Sequence, residues 1–155
     1  MRRFFAICTL LMLAPLQAQG TDAAAYHGYW WNEEKNGIFE LVETDAGIEG
    51  ITRWGQEPRK DALNPDPALR DRDLKNVRFL WDFTYDARKN RWKDGLVYDP
   101  DTGKTYEAKM SLERDGAVLK MRGYIGVSLF GRTARFDRVE AEEMPAELKT
   151  ELSAR

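Results

Sequence analysis

The sequence predicts an all-β protein, an antiparallel up-and-down barrel of about eight strands, with one long ordered loop and a short C-terminal helix or tail. Three observations carry that expectation. Arg91 to Val139 reads as successive strands closed by tight turns, with no room for the crossover helix that parallel strands require. Apolar and polar side chains alternate with period two along several segments. An even, sequential set of hairpin-linked strands loses its exposed edges by closing on itself, and eight strands enclose room for side chains or one small ligand.

The N-terminus precedes this fold and is read as an export signal. Arg2 and Arg3 are followed by an apolar run from Phe4 to Leu16, ending in Gln17-Ala18-Gln19 with a small residue at the cleavage point. Residues 1–18 are therefore expected to be a Sec-type signal peptide cut after Ala18. The run is shorter than the roughly 20 residues that span a bilayer, and no later segment is apolar enough to anchor the chain, so no transmembrane segment is expected after cleavage. The single cysteine, Cys8, lies inside the signal without the small residues that precede a lipoprotein processing site. The mature chain then needs neither disulfide nor thiolate metal, and a cysteine-free exported domain points to a bacterial periplasm ahead of the extracellular medium.

Residues 19–139 make one barrel domain of ordinary size, followed by an acidic tail over 140–155 whose Pro145 starts a short helix or a loosely packed end. Removing Arg2 and Arg3 from 24 basic residues leaves 22 against 26 acidic ones, a formal charge of −4. A mildly acidic domain without a basic stripe argues against nucleic acid and against an anionic membrane surface as partners. Oligomeric state stays open.

The elements follow in order. Gly28 to Trp31 opens the first strand; Gly37 to Glu43 and Ile48 to Trp54 flank Thr44-Asp45-Ala46-Gly47, a hairpin turn ending in Gly. Gly55 to Asn76 holds Pro58, Pro65 and Pro67 without alternation, which reads as an ordered loop with one helical turn at Pro67-Ala68-Leu69-Arg70. Val77, Phe79, Trp81, Phe83 and Tyr85 alternate with Arg78, Leu80, Asp82 and Thr84, which predicts one strand with a continuous aromatic row on one face. Arg91 to Tyr98 is the next strand, and Asp99-Pro100-Asp101-Thr102-Gly103 is turn chemistry throughout. Tyr106, Ala108, Met110 and Leu112 then point inward, with Thr105, Glu107, Lys109, Ser111 and Glu113 outward. Asp115-Gly116 turns the chain into Ala117 to Ile125, and Gly131 to Val139 completes the set.

Two resemblances rest on these segments. Gly28-Tyr29-Trp30 on the first strand with Arg138 on the last resembles the lipocalin and fatty-acid-binding superfamily, in which such an Arg closes one barrel end over the Trp. Gly28-Tyr29-Trp30, Asp61 with Asn64-Pro65-Asp66, Leu69-Arg70, Gly95 to Tyr106, Arg122-Gly123-Tyr124-Ile125-Gly126 and Leu129-Phe130-Gly131-Arg132-Thr133 together resemble the bacterial secreted family called domain of unknown function 2147. The chain departs from that family's pattern at Asn76, usually Gly, and at Phe136, usually Trp. The resemblance implies a periplasmic lipocalin-like barrel and carries no agreed activity.

Most candidate sites dissolve on inspection. Gly103-Lys104-Thr105 imitates the end of a phosphate-binding loop, but the required first Gly falls at Tyr98 and a hairpin follows. Asp99, Asp101, Gly103 and Glu107 imitate a calcium loop with the Gly one position early and Pro100 intervening. His27 has no second histidine or cysteine with which to share a metal, so no metal and no cofactor are expected. Ser128 lacks a nucleophile elbow and a histidine partner, and a pair such as Asp82 and Asp86 reads as a solvated hairpin end, so the chain is expected not to be an enzyme.

Two clusters remain. Asp61, Asn64 and Asp66 with Arg70 and Arg72 combine short acceptors with forked donors, either as internal bracing of the long loop or as ligand contacts. Tyr98, Tyr106, Arg122, Tyr124 and Arg132 are polar-tipped groups near strand ends. Alternation with Leu119 and Met121 turns Arg122 outward, whereas a bulge at Gly123 and Gly126 would reset the phase and turn it inward. The expected function is binding of a small amphipathic molecule inside the barrel, against Phe79, Trp81, Phe83 and Met110, with Arg122, Arg132 and the tyrosines at its polar end. The alternative is a non-catalytic envelope module that binds a protein or glycan partner, which an exposed aromatic patch around Trp54 and Trp92 would favour.

Overall fold

A computed structural model describes residues 23–127, 129 and 131–154; the signal peptide expected over residues 1–18, and Ser128, lie outside them. Among the described residues the strands are β1 (Gly28–Trp31), β2 (Gly37–Thr44), β3 (Gly47–Gly55), β4 (Arg78–Trp81), β5 (Thr84–Asp86), β6 (Arg91–Asp99), β7 (Lys104–Glu113), β8 (Val118–Tyr124) and β9 (Arg132–Asp137), followed by the α-helix α1 (Ala146–Ser153). They pair antiparallel in the order β1-β2-β3-β4-β6-β7-β8-β9, with β5 beside β6. The two ends of this meander meet where Trp30 bridges Arg138 and the Val139 N–H donates to the Tyr29 carbonyl at 2.9 Å. The result is a nearly closed barrel. Above that bridge, side chains join β9 to the turn after β1: Lys35 pairs with Asp137 at 2.9 Å and Arg132 with Glu33 at 2.7 Å.

The strand expected over Val77 to Tyr85 is divided, and the aromatic row with it. Gly50 pairs with Leu80 but Ile51 with Arg78, so Phe79 is the extra residue of a bulge, and its ring packs edge-on against Phe39 at 5.3 Å. Asp82 then takes φ 60, a left-handed conformation that ends β4 and resets the phase. Leu80 and Phe83 become the buried residues, while Trp81 falls opposite Leu96 on the outer side with Arg78 at 5.9 Å. Periodicity could not show this, because one bulge and one αL residue each shift the pattern by a single position. Asn76 also takes a left-handed φ of 62, where an amide is tolerated in place of Gly.

The interior is filled from the lower end, where the chain enters at Gly28 and leaves at Arg138. Tyr26, Trp30, Phe39, Leu41, Ile48, Leu80, Phe83, Trp92, Ala108, Met110, Leu119 and Met121 form one buried cluster. Gly95 is part of this packing: the Phe83 ring lies so close to its Cα that any Cβ there would overlap it. A bulge in β6 between Trp92 and Gly95, with Asp94 at φ 59, brings the glycine to the inward face.

The tail does not fray. Leu148 of α1 is 1% exposed and joins Trp31, Ile38 and Val139 in a second cluster on the outside of β1 and β2, with Trp54, Met144 and Leu152 around it. The Trp54 indole N–H donates to Glu147 at 2.8 Å and the Trp31 indole to Glu143 at 3.3 Å. The acids that made the tail look solvated are thus the acceptors that seat it.

Candidate functional site

The two barrel ends differ. At the lower end the Arg138 guanidinium lies 4.1 Å from the centre of the Trp30 ring, and its nitrogens donate to the carbonyls of Gly116 at 2.9 Å, His27 at 2.8 Å and Ala25 at 2.6 Å. Burial lowers the Arg138 pKa, so the guanidinium is partly stripped of water and depends on those carbonyls and the ring face. Gly28, at φ 114, leaves room for it, since a Cβ would stand 3.2 Å from Arg138 Nη1. This end is shut by the contacts of Gly28, Trp30 and Arg138.

The upper end is not plugged in the same way. Val97, Tyr106, Gly123 and Ala134 share the inward phase of Ala108 and Met121, yet they are only half-buried, as is Phe79 in its bulge, while Leu80 and Ala108, the cross-strand partners of Val97 and Gly123, are 0% exposed. Arg132 pairs with inward-facing Gly123 and sits at the rim, where it reaches across to Glu33. The Tyr106 hydroxyl lies 3.3 Å from that of Thr102. Together these residues outline an apolar mouth with a polar rim.

The long loop flanks this mouth and is braced by its own polar groups. Asp61 is 0% exposed and accepts from Tyr98 at 2.6 Å, Asn64 at 2.7 Å, and Arg72 Nε and Nη2 at 2.9 and 2.7 Å. Arg70 donates to the Asn64 carbonyl at 2.9 Å, and the Asn64 side-chain oxygen accepts the Asp66 N–H at 2.9 Å. Asp66 caps the helical turn Pro67–Leu69 through the Ala68 N–H. Burial alone would raise the Asp61 pKa, but the bonds from Tyr98, Asn64 and Arg72, with the Arg72 charge, outweigh it and hold the carboxyl below its ordinary range. Burial and the neighbouring carboxylate push the Tyr98 hydroxyl up to about 12. Every oxygen of Asp61 is therefore engaged by the protein itself: Asp61, Asn64, Arg70 and Arg72 brace the loop, and Tyr98, grouped from the sequence with the strand-end cluster, braces it with them.

The second cluster is split by the barrel wall. Tyr106 and Arg132 belong to the mouth. Arg122 and Tyr124 point outward, because β8 stays in register through Gly123, which pairs with Ala108 on one side and Arg132 on the other. Arg122 donates to the Thr133 hydroxyl at 2.9 Å and the Leu129 carbonyl at 3.1 Å. Burial, Glu107 and Asp94 raise the Tyr124 pKa. Of the expected apolar lining, Phe79 faces the mouth, Phe83 and Met110 are packed core at 2% exposure, and Trp81 is outside. Residues that sequence reasoning missed are Val97, Gly123 and Ala134, whose inward phase was readable but whose incomplete burial was not.

Among the described residues no helix is long and apolar enough to cross a membrane. A family profile described as an uncharacterized protein conserved in bacteria, DUF2147, matches residues 28–138. Among solved structures, the chain is similar to protein HP1028 from the human pathogen Helicobacter pylori, described as belonging to the lipocalin family. The TM-score is 0.69 at 27% identity, over 80% of this chain and 88% of that one. No curated protein sequence matches the chain.

Proposed function

We propose a function from one premise: the chain belongs to the bacterial family DUF2147 and has a lipocalin-like fold. It acts as a non-catalytic periplasmic carrier or sensor that holds one small amphipathic molecule in the upper part of its barrel. The observation that carries this reading is the group of half-buried, inward-facing residues gathered around Gly123. Phe79, Val97, Tyr106, Gly123 and Ala134 keep accessible surface beside a buried apolar cluster, and Gly123, with no side chain, leaves space between Tyr106 and Val97 for an apolar group. An apolar group lies against Phe79, Val97 and Ala134; the polar end meets Tyr106, Arg132 and Glu33 at the rim. Of the patch that would have favoured a protein- or glycan-binding module, Trp92 is core and Trp54 is half-buried beside α1.

Thermal shift with a panel of fatty acids, isoprenoids and lysophospholipids tests the reading. At least one class should raise the melting temperature of the wild type and leave Gly123→Leu unmoved, because a Cβ at Gly123 meets Tyr106 and Val97 only at ordinary contact distances of 3.7 and 3.9 Å and a larger side chain extends into the mouth. Absence of any shift across the panel sinks it.

A further inference from the structure

Two features of the outer surface adjoin each other, and neither takes part in barrel closure or in the mouth. The first is a shallow depression of about 160 Å³ lined by Arg91, Lys109, Met110, Ser111, Lys120 and Arg122. These positions are dispersed in sequence, and the register gathers them. Arg91 pairs with Ser111, Ser111 with Lys120, and Lys109 with Arg122, so four cations stand in two neighbouring rows on one face. The carboxylates beside them are fewer: Asp86 lies 3.8 Å from Arg91 Nε, and Glu113 is shared between Lys120 and Arg135 at 3.0 Å each. With Lys93, which pairs with Asp94, and Arg135, beside Lys120 in the next strand, six cations stand against Asp86, Asp94, Glu107 and Glu113, a formal excess of positive charge on an acidic protein.

The second feature is the loop between β8 and β9. Ile125, Val127 and Leu129 are 69%, 57% and 79% exposed, three of the four large apolar side chains so exposed among the described residues. Arg122 donates to the Leu129 carbonyl, which joins this apolar tip to the cationic face. Exposed apolar side chains next to an excess of cations match one kind of surface, in which anionic headgroups lie over hydrocarbon.

We propose that this face docks on an anionic phospholipid bilayer. Ile125, Val127 and Leu129 enter the interfacial layer, and Arg91, Lys109, Lys120 and Arg122 meet headgroup phosphates. Net charge alone argued against such a surface; the cross-strand register provides what the total conceals. The proposal does not depend on what the barrel holds.

The test is sedimentation of the mature chain with large vesicles of phosphatidylglycerol and phosphatidylcholine, and with vesicles of phosphatidylcholine alone, at low and high salt. Binding should require phosphatidylglycerol and weaken with salt. Each cation near an anionic surface contributes about a fivefold gain in partitioning, so Lys109→Gln with Lys120→Gln should lower the partition coefficient about 25-fold. Val127→Asn with Leu129→Asn, both at exposed positions, should lower it more than about tenfold. Both pairs should melt like the wild type, and Lys60→Gln on the long loop should bind like it. The proposal is overturned by failure to sediment with phosphatidylglycerol vesicles, by equal binding to phosphatidylcholine, or by binding that either double variant leaves unchanged. Retention on heparin without vesicle binding would assign the face to a soluble polyanion and overturn it as well.

Discussion

Replacing Arg138 with Ala removes the contact that closes the lower barrel end. Three donor bonds to the carbonyls of Gly116, His27 and Ala25 are lost, together with the stacking on Trp30 at 4.1 Å. Hydrogen bonds from a charged donor contribute about 1.5–3 kcal/mol each. These carbonyls lie at the rim and regain water once the guanidinium is gone, which reduces the loss to about 1 kcal/mol apiece. The cation–π contact on a fully buried indole adds about 1 kcal/mol. The expected total is about 4 kcal/mol, and for a domain of this size that corresponds to a fall in melting temperature of about 12–16 °C. Far-UV circular dichroism with a thermal ramp reads it directly, and Arg138→Lys, which keeps the charge but not the planar fork, should lose about half as much. A fall below about 4 °C for the alanine variant would mean that the bridge between Trp30 and Arg138 closes the barrel without this side chain, and the reasoning would fail.

Other perturbations have equally definite outcomes. Asp61→Asn leaves Arg72 without its carboxylate and should cost about 3 kcal/mol in urea unfolding. Because the Asp61 pKa is lowered on folding, the folded state holds fewer protons than the unfolded one in the carboxylate range, so wild-type stability is lost as pH falls from the ordinary aspartate value through the lower folded one. The Asn variant should show a flatter acid limb, and an unchanged limb would contradict the assignment. The Tyr98 pKa is instead raised from 10.0 to about 12, so this contribution is present below 10 and declines as pH climbs toward 12; Tyr98→Phe should remove that alkaline dependence. Gly95→Ala drives a methyl into the Phe83 ring and should destabilise by about 1–3 kcal/mol, with part regained in the double variant that adds Phe83→Leu, whereas additive losses would exclude the overlap. Leu148→Ala should cost about 2–4 kcal/mol and red-shift tryptophan emission as Trp31 and Trp54 gain water; an unshifted spectrum would detach α1 from that cluster.

The meander was legible because its signals are local. Alternation at Tyr106 to Leu112, turn residues at Asp99 to Gly103, and the Gly28-Tyr29-Trp30 and Arg138 pair each point to the arrangement observed. The division of Val77 to Tyr85 was not legible, since a bulge at Phe79 and an αL residue at Asp82 answer to cross-strand packing rather than to residue type. The site was read least well where phase alone was available. Tyr98 and Tyr106 both looked like polar ends of one pocket, yet the first turns outward to Asp61 and the second inward to the mouth. The outer cations were invisible for a related reason, because Arg91, Lys109 and Lys120 become neighbours only through register. The docked tail shows the same limit: Leu148 gave little hint that Trp31 and Trp54 awaited it.

The central claim is that the upper barrel carries an amphipathic molecule, and organic extraction with mass spectrometry of protein recovered from cells of its own host tests it most directly. An amphipathic compound in near-stoichiometric amount from the wild type, and its absence from Gly123→Leu prepared in parallel, is the result the account predicts. No compound in the wild-type extract, or the same compound in equal amount from both, would contradict it.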